Sequence, residues 1–227
     1  MRGYGIIRTS VKGDKELNQD AVRFMEDGDL LVLALADGVG SAPMSHHGAK
    51  AACRAVTDTV RKSRRGATPL SSAEIVHRWE DLLGRKGLHP EECWTTCSFV
   101  IVNRAANRIS MGHVGDCRIV VRADGKTIDV REEKDFLNET EALGSHRYSG
   151  YRMTSVDYCE DYAALIVSDG IGDELEDETI PGLIDYFKDT YSHIPEHDRN
   201  YRLSLDIRRT LGRRNGDDKS IIFVWKD

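Results

Sequence analysis

Two apolar runs of this chain stop in the same way. LLVLALADGVGS, residues 30–41, breaks at Asp37–Gly38, and AALIVSDGIGDEL, residues 163–175, breaks at Asp169–Gly170. Three further blocks place acids beside strand-like segments: Asp20 in LNQDAVRF, Asp116 in GHVGDCR, and the pair Asp217–Asp218 in NGDDKSIIFV. Taken singly, each is ordinary turn chemistry. Brought together they pose an electrostatic problem. Two carboxylates ~4 Å apart repel by ~4 kcal/mol at an effective dielectric of about 20, so converging acids must be protonated or bridged by cations. Hard divalent ions such as Mg²⁺ or Mn²⁺ suit an all-oxygen donor set, and no His–Cys cluster offers a site for zinc. The glycine after Asp37 permits close backbone approach, which makes the Gly38 carbonyl a further candidate ligand.

The elements that must position these acids are short and β-branched. Strand-like segments begin near residues 3, 20, 30, 94, 107, 117, 126, 151, 162 and 220, with hairpins expected at VNRAANRIS and VVRADGKTIDV. Helical periodicity predicts a helix over 45–65, with Ala49, Ala52, Val56 and Val60 on one face, and a second over 71–86. The second is opened by SSAE, an N-cap followed by an acid at its third position. Later helices are expected over 173–176, 180–191 and 197–211. Tyr186, Phe187 and Tyr191 fall at near-helical spacing, as core-packing residues do. Strands followed by segregated helices predict an α+β fold, two mostly antiparallel sheets flanked by helices, in a single domain over 1–227.

Composition narrows the function classes. The 227 residues are 40% hydrophobic and carry a net charge of −6, enough for a sizeable core and a poor match to a dedicated nucleic-acid binder. The basic cluster RKSRRG, residues 61–66, reads as a solvated helix end. No apolar run reaches the ~20 residues of a membrane span, and MRGYGIIRTS lacks a signal-peptide core. The five cysteines, Cys53, Cys93, Cys97, Cys117 and Cys159, are odd in number without a CxxC, which fits reduced thiols in the cytoplasm.

In their order along the chain, LNQDA, LALADGVGS with HHGAKAA, TTCSFVIV, GHVGDCRIVV, EALG, LIVSDGIGDEL and GDDKSIIFV resemble the metal-dependent protein phosphatases called PPM or type 2C. The resemblance spans nearly the whole chain. It implies a four-layer αββα sandwich with metals at one end of the two sheets. It implies Asp37 as a bridge between two Mg²⁺ or Mn²⁺ ions, with the Gly38 carbonyl on one of them. Asp169 and Asp217 would hold the other, and Asp20 would touch the cluster through metal-bound water. Asp116, Asp169 and Asp173 match the acids of a weaker third site. Asp218 stands where many members have Asn and is expected to be a neighbour. The implied reaction is hydrolysis of phosphoserine or phosphothreonine in a protein, the target of a Ser/Thr kinase, by metal-activated water without a covalent intermediate. A monomer is expected.

Three departures stand out. The position five residues before Asp20, where relatives carry a phosphate-gripping Arg, is Lys15, which supplies charge without the bidentate fork; Arg8 or Arg118 could contribute, although Arg118 reads as structural. Val39 replaces the His that serves some members as general acid. His46 and His47 are weak substitutes, and His113 reads as a core residue. The flap region, about 126–141, is short, which leaves the centre more open. Cys117 stands where the family commonly has Ser and reads as a packed small residue. The alternatives are a non-catalytic binding module on the same fold and a phosphatase of a small phosphorylated metabolite.

Overall fold

The computed structural model describes residues 3–66, 70–131, 140–212 and 214–226. Ten strands among them form two antiparallel five-stranded sheets. The first sheet runs β1 (Tyr4–Val11), β10 (Lys219–Lys226), β9 (Tyr162–Val167), β6 (Arg118–Ala123) and β7 (Lys126–Val130). The second runs β2 (Ala21–Asp27), β3 (Leu30–Ala36), β4 (Cys97–Asn103), β5 (Arg108–Val114) and β8 (Arg152–Asp157).

Strand β3 shows why the sheets stack. Its side chains alternate at period two, with Leu31, Leu33 and Leu35 entering the core between the sheets alongside Val100, Ile119 and Ile166. Val32, Ala34 and Ala36 face the other way, toward α1 (Ser45–Gly66) and α2 (Ser72–Gly84). Both faces of the strand are therefore apolar, as a strand inside a layered sandwich requires. The predicted α1 stripe, Ala49, Ala52, Val56 and Val60, is buried there. A third cluster, with Ile7, Phe223 and Trp225, lies under α4 (Ile180–Ser192) and α5 (Glu196–Thr210). The result is the expected αββα sandwich.

Small corrections follow. The helix expected over 173–176 forms earlier, as α3 (Asp169–Gly172), and 173–174 is a turn. Gly170, in the first turn of this helix, packs so tightly on the loop before β10 that a Cβ there would stand 2.2 Å from the Asp218 carbonyl oxygen. Ser71 takes the N-cap position of α2 without a side-chain capping bond. Of the three aromatics on α4, Tyr191 is buried and Phe187 packs on Phe223 at 5.7 Å, whereas Tyr186 is exposed. The β6–β7 hairpin turns at Asp124 and Gly125, both at positive φ (47° and 79°), as a two-residue primed turn requires. Part of the flap region, 132–139, lies outside the described residues, as do the side chains of 64–66 in the basic cluster. No described helix is long and apolar enough to cross a membrane.

Candidate metal centre

The acids gather because four chain segments end at the same edge of the sandwich. Asp37 follows β3 in one sheet, and Asp169 follows β9 in the other. Asp116 lies in the loop that carries the chain from β5 of the second sheet to β6 of the first, and Asp20 immediately precedes β2. The LNQD segment is a side-chain-closed turn: Asn18 Oδ1 accepts a bond from the Asp20 amide at 2.9 Å. That turn is tied to the Asp37 loop, where the Gly38 amide donates to the Gln19 carbonyl at 3.2 Å. A Cβ at Gly38 would stand 2.8 Å from Ser45 and 2.9 Å from the Gln19 oxygen, so glycine is what permits this approach.

Around Asp37 the backbone is fixed by two threonines that sequence reading did not single out. The Asp37 amide donates to Thr96 Oγ1 at 2.9 Å, and Thr95 Oγ1 donates to the Asp37 carbonyl at 2.9 Å. Thr140, also missed, donates its hydroxyl to Asp116 Oδ2 at 2.7 Å. Neither role leaves a signal in sequence, because a threonine beside a strand is common whatever it does.

The electrostatics show real convergence. Burial raises the Asp37 carboxyl well above its ordinary range, and the charges of Asp20, Asp169 and Asp116 raise it further. Asp20 is buried and pushed up to about 6, first by burial. The Ser220 hydroxyl, the neighbouring Asp37 carboxyl and the Ser168 hydroxyl oppose that rise, although the two hydroxyls donate elsewhere, to Ser10 Oγ and to the Asp218 carbonyl. Both Asp20 carboxylate oxygens are left without a hydrogen-bond partner. A buried acid with two orphaned oxygens is costly unless a cation satisfies it.

The remaining predicted residues divide by geometry. Asp217 is half exposed, with Oδ1 3.6 Å from the Lys15 ammonium, so both lie at the rim. Asp173 follows α3 and is exposed. Asp218 is a structural neighbour: its two oxygens accept bonds from the Gly13 amide at 2.8 Å and the Gln19 amide at 2.7 Å. Arg118 is spent on Asp129 and Asp177, each at 2.5 Å. Arg8 lines a separate cavity of about 500 Å³ that Asp20 also borders. His113 is buried against Ser98 Oγ at 3.0 Å and its pKa is lowered, chiefly by burial, to about 4. His46 and His47 stand in the first turn of α1, and both are lowered first by burial and then by neighbouring charges that include Lys50 and Lys86. Cys117 is buried against Thr96 Oγ1 at 3.1 Å, and burial pushes its thiol far up.

Among the described residues, no three Asp, Glu, His or Cys side chains already stand at ligating distance of one point. Several of the acids are turned to protein donors: Asp116 to Thr140, Asp217 to Lys15, and Asp169 Oδ1 to the Gly170 amide at 2.5 Å. The donor set nonetheless fits a hard divalent cation. It is all oxygen, it repels itself, and Asp20 offers two unsatisfied oxygens.

The likenesses to known proteins agree with the fold. A family model described as protein phosphatase 2C matches residues 9–207. The fold resembles RsbX solved with magnesium, at 14% identity and a TM-score of 0.69, covering 100% of this chain and 97% of that one. It also resembles the catalytic domain of the serine/threonine phosphatase PstP solved with two manganese ions, at 18% identity and a TM-score of 0.62, covering 99% of each chain. A third likeness is to the serine/threonine phosphatase of S. agalactiae, at 18% identity and a TM-score of 0.65, covering 99% of this chain and 100% of that one. No curated protein matches the chain significantly in sequence.

Proposed function

This chain belongs to the protein phosphatase 2C family, and we propose that it is an active Mg²⁺- or Mn²⁺-dependent phosphatase of phosphoserine and phosphothreonine in proteins. The observation that carries the reading is the gathering of Asp20, Asp37, Asp116 and Asp169 at one edge of the sandwich, with both Asp20 oxygens orphaned. A binding module with no use for a cation would gain stability by losing one of these acids, since buried like charges oppose folding.

In this reading Asp37, with the Gly38 carbonyl beside it, Asp169 and Asp217 would hold the ions, Asp20 would act on the cluster from the buried side, and Asp116, Asp169 and Asp173 would serve a weaker third site. When bound, the ions would activate water and offset charge on the phosphoryl group. The chain's own tasks are to hold those acids together against their mutual repulsion and to bring the substrate phosphate in. Lys15 does the second, because its ammonium stands at the rim beside Asp217. No thiol takes part as nucleophile, since the thiols nearest the acids are buried and held protonated. Phosphate release from a phosphothreonine peptide tests the reading. Release that requires Mn²⁺ or Mg²⁺ and stops with chelator supports it. A folded, metal-loaded protein that releases none overturns it, and hydrolysis confined to a small phosphoester would move the substrate to a metabolite.

A further inference from the structure

A chain with net charge −6 concentrates unpaired cations on one face. Between β2, α1 and α2 lies a groove of about 320 Å³ lined by Arg23, Lys50, Arg54, Arg85 and Lys86. Arg54 pairs with Asp58 at 3.3 Å. Among the described residues, no carboxylate pairs with Arg23, Lys50, Arg85 or Lys86, and the one side-chain bond of Arg23 goes to the neutral Thr57 hydroxyl at 2.8 Å. The field of this face reaches its neighbours. After burial, the Lys50 and Lys86 charges help to lower His46 and His47, and the Arg23 charge, again after burial, helps to lower Arg8. Cations crowded without counter-charge raise the free energy of the free protein and favour an anionic ligand.

We propose that this groove docks an acidic stretch of polypeptide, and that in the phosphoprotein substrate such a stretch lies close to the phosphorylated residue. The second clause rests on the phosphatase reading above; the binding itself does not. Two observations favour a peptide over a nucleic acid. The groove contributes only Ala51 and Leu82 as apolar lining and offers no aromatic ring on which a base could stack. The site is also short, so it suits a few carboxylates better than a tracked phosphate backbone. Its place in the molecule favours a substrate. Lys50 also lines the neighbouring 500 Å³ cavity, and Asp20 of the acid cluster is among the residues that border it. An acidic segment lying there would be held by charge at Lys50, Arg85 and Lys86.

The test needs no catalysis. Fluorescence anisotropy of a labelled, unphosphorylated octaglutamate peptide is read with chelator present, beside an octaglutamine peptide and an eight-nucleotide RNA. The expected result is saturable binding of the glutamate peptide that weakens steeply with salt, no binding of the glutamine peptide, and at least ~10-fold loss in the Lys50→Glu/Arg85→Glu/Lys86→Glu protein. The neutral Lys50→Gln/Arg85→Gln/Lys86→Gln protein should fall between, and it carries the test if the reversed protein does not fold. Equal binding of both peptides, an unchanged affinity in the neutral variant, or RNA binding in place of the glutamate peptide would each overturn the proposal. Loss of phosphatase activity with peptide binding intact would count against the enzyme reading alone.

Discussion

The Lys15 ammonium lies 3.6 Å from Asp217 Oδ1 at the rim of the acid cluster, with both side chains substantially exposed. An exposed pair of this kind adds little to stability, typically ~0–1 kcal/mol. Its interest is positional, because it sets a mobile positive charge beside a candidate ligand. Replacing Lys15 by Ala should leave the unfolding midpoint nearly unchanged and raise KM for a phosphopeptide about 10-fold, the scale of one bond to a charged group. Lys15→Arg should lower KM below that of the unmodified protein by restoring a two-toothed grip on phosphate. Steady-state kinetics on the three proteins checks both directions.

Asp217 and Asp218 are adjacent in sequence and opposite in role. Asp218 closes two backbone amides, those of Gly13 and Gln19, in a buried setting. Asp218→Ala should therefore cost roughly 1–3 kcal/mol in chemical denaturation, because it leaves two partly buried amide donors unmet. Asp217→Ala should cost under about 1 kcal/mol and weaken Mn²⁺ binding instead. Denaturation midpoints and metal titrations of the two variants separate these outcomes.

Stability of the chelated protein should depend on pH through Asp20. Its carboxyl is raised from 3.8 to about 6, chiefly by burial. Below pH 4 the group is protonated whether the chain is folded or not. Between pH 4 and 6 the unfolded chain ionises while the folded one retains the proton, so stability is lost as pH rises, by on the order of 3 kcal/mol once both are ionised. Asn does not titrate. The Asp20→Asn protein should therefore match the parent near pH 4, gain on it between pH 4 and 6, and hold that gain at pH 7 when Tm is measured with chelator. A gap that does not change with pH would contradict the burial argument.

The cysteines supply a negative control. Cys53, Cys93, Cys97 and Cys117 are buried, and Cys159 is exposed. Burial raises the first four thiols, Cys97 to about 12. Brief alkylation of the native protein should add one label, at Cys159, by mass spectrometry, and phosphate release should not change.

Much of the fold could be read from alternation and turn chemistry. LLVLALAD is apolar on both faces, which only an inner strand of a layered sandwich needs, and the α1 stripe of Ala49, Ala52, Val56 and Val60 named its buried face. The packing at the early start of α3 could not be read, because Gly170 there meets the Asp218 backbone, a contact 48 residues away in sequence. The acids were legible because each sits at a strand end beside a turn-forming residue. Their second layer was not. Thr96 and Thr140 act through hydrogen bonds that exist only once β3, β4 and the loop after β7 are assembled. Asp124 shows the same limit. It reads as a hairpin turn residue, yet its carboxylate also accepts bonds from the amides of Cys159, Glu160 and Asp161.

The central claim is that Asp37 joins the acids into one metal centre, and calorimetric titration of Mn²⁺ into the parent and Asp37→Asn proteins addresses it directly. The parent should bind at least two ions. Asp37→Asn should be more stable than the parent in chelator, since a buried repelling charge is gone, and should bind Mn²⁺ more weakly by well over the ~10-fold typical of residues that only support ligands. Equal affinity and stoichiometry in the two folded proteins would contradict the account, because the four acids would then be neighbours without a shared ion.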